Sequence, residues 1–166
     1  MRSDIVKRYE KMRKQDLIEV LVNLSVKERF SISVPKDSLG ELRRCLTPSE
    51  IIEKEHFIVL TLNGANKTID SHIISSGLVN KTLVHPREVF RPAILDNATS
   101  IIIAHNHPSG NTTPSPEDMG ITQRICQAGD LIGIRVLDHI IFTNEGHLSM
   151  MENNMLGGEI NERILL

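Results

Sequence analysis

Apolar positions recur along the chain in two rhythms, one near 3.6 residues and one of two, and their alternation lays out the elements. Ile5, Tyr9, Met12, Leu17, Val20, Leu21 and Leu24 fall at helical intervals and predict a helix over residues 1–24, with Lys7, Arg8, Lys11 and Lys14 largely outside the stripe. Pro35 opens a second helix through about Leu46, and Thr47-Pro48-Ser49-Glu50 opens a third that ends near Lys54. His56 to Leu62 then reads as a strand, Asn63-Gly64 as the start of a turn, and Thr68 to Ser75 as the returning strand. Residues 76–84 carry little periodic signal and read as a loop or irregular strand. Pro86 fits the first position of a helix whose buried face carries Val89, Phe90, Ala93 and Ile94, while Pro92 predicts a kink or an early break.

Ser100-Ile101-Ile102-Ile103-Ala104 is a continuous apolar run rich in β-branched residues, the pattern of a strand buried on both faces. A helix from Pro116 to about Ala128 or Leu131 follows, with Met119, Thr122, Ile125 and Cys126 facing inwards. Gly133 breaks it before a strand from Ile134 to Phe142, and Thr143-Asn144-Glu145-Gly146 turns into a last strand, His147 to Met151. Strands and helices that alternate around one continuous apolar strand predict an α/β fold, a mixed sheet flanked by helices. The chain divides into a helical N-terminal segment over 1–46, a central domain over 47–151 and a tail or short docking helix over 152–166.

Composition narrows the function more than the fold. A chain of 166 residues, 40% hydrophobic and 24% charged, is enough for one domain with a proper core and a short appendage. A formal net charge of −2 gives no general attraction to nucleic acid or to anionic membranes. Aromatic residues make up 3% and Trp is absent, which argues against a platform that stacks single-stranded bases. Arg2, Lys7, Arg8, Lys11, Arg13 and Lys14 read as a solvated helix face, with contact to nucleic acid or an acidic partner as the weaker alternative. Cys45 and Cys126 form neither a C-x-x-C clip nor a disulfide framework, as expected in a reducing cytoplasm. No apolar run is long enough to span a bilayer, and the charged start lacks a signal-peptide core. Nothing in the pattern specifies an oligomeric state.

The candidate chemistry lies where the apolar run ends. His105 and His107 project from the same face of the extended strand and Asn106 from the other. Ser115-Pro116-Glu117-Asp118 starts a helix, with Ser115 at the N-cap and Asp118 in the first turn, where the loop can fold it back towards both imidazoles. Two histidines and a carboxylate leave a fourth tetrahedral position for water, the signature of a catalytic zinc site. The plainer reading takes the histidines as polar residues at a sheet rim and Ser115-x-x-Asp118 as a capping box. His85, ahead of Pro86, reads as a cap or packing residue.

The spacing H-x-H-x7-S-x-x-D resembles the JAMM motif of the MPN (JAB) metalloprotease superfamily. Leu83 to Phe90, Ala104 to Gly110 and Gly133 to His139 resemble the bacterial RadC family more specifically, and the likeness covers roughly residues 48–150. It implies a JAB/MPN, cytidine-deaminase-like domain with Zn2+ held by His105, His107 and Asp118. It also implies that Ser115 helps to stabilise the oxyanion and that an upstream Glu acts as general base. Among Glu50, Glu53, Glu55 and Glu88, Glu55 best matches that Glu and stands at the entrance to the first core strand. The helix-hairpin-helix region that usually precedes the RadC catalytic domain has no counterpart in this sequence.

The leading expectation is therefore a zinc-dependent hydrolase of the RadC/JAMM type that cuts a peptide or isopeptide bond in a protein or peptide substrate. A nucleobase deaminase would need H-x-E with P-C-x-x-C, and the chain has no cysteine pair. A non-catalytic MPN-type interaction module, or a DNA-metabolism protein by association with the RadC name, are the alternatives.

Overall fold

A computed structural model describes residues 35–77 and 84–156. The helix expected over 1–24 with its basic face, the loop residues 78–83 and the tail from 157 onwards lie outside the described residues. The elements run α1 (Pro35–Arg44), α2 (Pro48–Glu53), β1 (Glu55–Leu62), β2 (Thr68–Gly77), α3 (Pro86–Leu95), β3 (Ser100–Asn106), α4 (Pro116–Ile132), β4 (Arg135–Phe142) and β5 (His147–Ser149). The five strands form one mixed sheet in the order β2-β1-β3-β4-β5. Only the β3–β4 pair is parallel, joined by α4, and the remaining neighbours are antiparallel. The fold is α/β, with the sheet flanked by helices.

The all-apolar strand takes the centre because only a central strand buries both faces. Every residue of β3 is buried, and alternation sends successive side chains into two separate cores. Ile102 and Ala104 pack with Leu39, Leu42, Leu46 and Ile51 beneath α1 and α2. Ile101 and Ile103 pack with Val89, Phe90, Ala93, Ile121 and Ile125 beneath α3 and α4. The helices of the two layers therefore approach β3 from opposite sides, and His105 emerges on the side of α4.

Three details depart from the periodic reading. The helix α3 runs through Pro92 to Leu95 without a break. The proline removes one amide donor, and the packing of Val89, Phe90 and Ala93 holds the turn regardless. Ile94 is 58% exposed rather than buried, because the inward stripe ends at Ala93. In α4 the buried stripe is Asp118, Ile121, Thr122, Ile125 and Gly129, while Met119 is 39% exposed. Thr122 and Ile125 face inwards as expected, Cys126 is half-buried, and Asp118 and Ile121 take the inward place that Met119 leaves. Gly129 marks a close approach, since a Cβ there would stand 2.5 Å from the carbonyl oxygen of Ile134. Gly133 ends α4 in the left-handed region at φ 75°, which costs a residue without a side chain little.

Candidate metal centre

Three donors meet where β3 ends and α4 begins. His105 is on the last turn of pleat in β3, His107 lies just past the strand, and Asp118 is the third residue of α4. One ligand atom from each of the three lies within 4.8 Å of the others. His105 Nε2 is 2.9 Å from His107 Nε2 and 3.3 Å from Asp118 Oδ1, and His107 Nε2 is 3.7 Å from Asp118 Oδ2. Donors at ~2.0–2.1 Å from a tetrahedral ion stand about 3.3 Å from one another. The observed separations suit that geometry.

The surroundings fix how each donor points. His107 Nδ1 lies 2.6 Å from the carbonyl oxygen of Asn111, which can only accept, so Nδ1 carries a proton and a neutral ring turns its Nε2 lone pair to the centre. The Phe57 ring, on the neighbouring strand β1, lies nearly parallel to His105, at 7° and 6.3 Å between centroids. Asp118 and Ser115 form a capping box: the Ser115 amide and hydroxyl donate to Asp118 Oδ2 at 2.8 and 2.6 Å, and the Asp118 amide donates to Ser115 Oγ at 3.2 Å. Burial by itself would raise the Asp118 pKa. The neighbouring His105 and the hydrogen bonds from Ser115 outweigh it and hold the carboxyl well below the usual range. The centre is thus arranged to present an ionised carboxylate beside two imidazoles.

Asn106, between the two histidines, faces the other way and is fully buried. Its Nδ2 donates to the carbonyls of Ile51 and Lys54 at 2.8 and 2.7 Å, and its Oδ1 accepts from the His56 amide at 2.7 Å. The last two bonds bracket Glu55 along the chain. Glu55 is the first residue of β1, half-buried, and by alternation shares the face of Phe57, which pairs with His105 in register. The histidine strand therefore sets the place of Glu55 through backbone bonds.

Of the remaining candidates, Glu50 belongs to an exposed capping box with Thr47, and Glu88 pairs with Arg87 in the exposed first turn of α3. His85 is the N-cap of α3, its Nδ1 accepting from the Arg87 amide at 3.1 Å. The periodic reading passed over His139. It is fully buried on β4, with Nε2 2.8 Å from His105 Nδ1 and Nδ1 2.5 Å from Thr122 Oγ1. Its signals were a polar residue amid Leu137, Ile140 and Ile141 and its place at the end of the RadC-like stretch Gly133 to His139.

A sequence model described as a RadC-like JAB domain matches residues 35–155. A UPF0758 protein of Rubrobacter xylanophilus is 49% identical over 125 residues, covering 75% of this chain and 53% of that protein. One of Caldanaerobacter subterraneus is 46% identical over 125 residues, 75% of this chain and 52% of its own. One of Methanospirillum hungatei is 48% identical over 117 residues, 70% and 51% respectively. The chain spans about half the length of the curated relatives it matches.

Proposed function

The chain belongs to the RadC-like JAB domain family, and from that membership and the geometry of the centre we propose that it is a zinc-dependent hydrolase of peptide or isopeptide bonds. The observation that carries the proposal is the convergence of His105, His107 and Asp118, two imidazoles and an ionised carboxylate with no fourth protein ligand among the described residues. In this reading His105 and His107 hold the ion through Nε2 and Asp118 through its carboxylate. When bound, zinc lowers the pKa of water to about 7 and polarises the scissile carbonyl.

The rest falls to the chain's own side chains. Glu55, bracketed by Asn106, takes the proton of the attacking water and delivers it to the amine nitrogen as the C–N bond breaks. Ser115 has one hydroxyl proton and gives it to Asp118 Oδ2, so in this geometry its contribution is to aim the ligand carboxylate. Service as an oxyanion donor requires that bond to break as substrate enters.

Elemental analysis of the purified protein, followed by peptide, isopeptide and nucleic-acid cleavage assays with and without chelator, tests the proposal. Stoichiometric zinc with chelator-sensitive amide hydrolysis is the expected result. Protein that takes up no zinc, or that cleaves nucleic acid alone, overturns it.

A further inference from the structure

The direction of every proton around His105 follows from one hydroxyl. Thr122 Oγ1 lies 2.6 Å from the backbone carbonyl of Asp118 and 3.6 Å from Met150 Sδ. A carbonyl oxygen is a far better acceptor than a thioether, so the single Thr122 proton goes to Asp118. Thr122 Oγ1 can then only accept from His139 Nδ1, 2.5 Å away. A neutral His139 with its proton on Nδ1 has a lone pair on Nε2, and that lone pair accepts from His105 Nδ1 at 2.8 Å. With its proton on Nδ1, a neutral His105 turns its Nε2 lone pair to the space shared with His107 Nε2 and Asp118 Oδ1.

We propose that His139 and Thr122 are positioning residues for the metal centre: a one-way hydrogen-bond relay from His105 Nδ1 through His139 and Thr122 to the backbone of Asp118 holds two ligands in register. The relay begins on one ligand and closes on another, so it fixes the tautomer of His105 and the place of the first turn of α4 together. It rests on the reading of His105, His107 and Asp118 as a zinc site. Outer partners of this kind typically set metal affinity by 10–100-fold.

The test is zinc affinity by chelator competition, with melting temperature of the metal-free protein measured alongside, for wild type, His139→Leu, His139→Gln and Thr122→Val. A Gln oxygen can still accept from His105 Nδ1, whereas Leu and Val cannot take part in the relay. The expected pattern is a loss of roughly 10–100-fold in affinity for His139→Leu, a smaller loss for Thr122→Val, and His139→Gln within a few-fold of wild type. Should His139→Leu fail to fold, Thr122→Val against Thr122→Ser decides the matter, with only Ser near wild type. The relay is overturned by wild-type affinity in a folded Leu or Val variant, by Gln losing as much as Leu, or by losses that merely track melting temperature. Wild type that binds no zinc instead overturns the underlying reading of the site, and the relay with it.

Discussion

Thr47-Pro48-Ser49-Glu50 and Ser115-Pro116-Glu117-Asp118 start two helices in the same way. In each, the N-cap hydroxyl accepts from the amide three residues on, and the carboxylate there accepts from the N-cap amide and hydroxyl. The distances agree closely: 2.7 and 2.8 Å to Glu50, 2.8 and 2.6 Å to Asp118. Their surroundings do not. Glu50 faces solvent, and its pKa is lowered by the hydrogen bonds from Thr47. Asp118 is buried, and its second oxygen lies 3.3 Å from His105. The capping box is a local structure that any helix start can form. It becomes part of a chemical centre only where another element brings partners to the free side of the carboxylate, and there it has already fixed the rotamer.

The largest effect concerns what lies at the far end of the first of these helices, because α2 leads through Lys54 into Glu55. Glu55→Gln should lower turnover by roughly 10²–10⁴-fold with zinc content and melting temperature unchanged. Turnover within a few-fold of wild type would leave α2 a purely structural element and direct attention to Glu88. Next comes the contrast of the two carboxylates. Asp118→Asn keeps the shape of its cap but removes the ligand charge, and zinc affinity should fall by about 100-fold or more, whereas Glu50→Gln should bind zinc like wild type. Equal zinc affinity in both variants would dissolve the distinction.

The hydroxyls give a smaller and more discriminating effect. Ser115→Ala and Thr47→Ala should each lose about 1 kcal/mol of stability, within the ~0.5–2 kcal/mol range for caps, seen as similar falls in melting temperature. Only Ser115→Ala should also weaken zinc, since only its hydroxyl holds a ligand. The smallest effect lies further along α4. Burial, with the Asp130 charge adding to it, pushes the Cys126 thiol up to about 11. At pH 8 roughly one thiol in a thousand is then ionised. Iodoacetamide should label Cys126 in a Cys45→Ser background roughly tenfold or more slowly when folded than in urea, and faster as pH rises towards 11. Equally fast labelling in both states would show the half-buried Cys126 to be open to solvent in the folded protein.

What the sequence by itself determined is everything that depends on neighbours within a few residues. The β-branched run Ile101-Ile102-Ile103 forms a strand wherever it is placed, and having no polar face it must lie at the centre of the sheet. Alternation separates His105 and His107 from Asn106, and Ser115-Pro116 starts a helix that turns Asp118 back onto its cap. Those local rules were enough to pick out the three donors as candidates.

Tertiary structure decided which groups support them. His139 is 34 residues from His105 and 17 from Thr122, and no periodic pattern relates positions that only a parallel strand pair and its crossover helix bring together. The grip of Asn106 on residues 50 or more positions earlier is of the same kind. So is the place of Asp118 on the buried stripe of α4, where the apolar pattern expected Met119. Local patterns choose the backbone shape, because the forces that set it act over a turn or a pleat. The partners of a buried polar group are chosen by the fold, because a polar group removed from water must bond to whatever the packing brings within 3 Å of it.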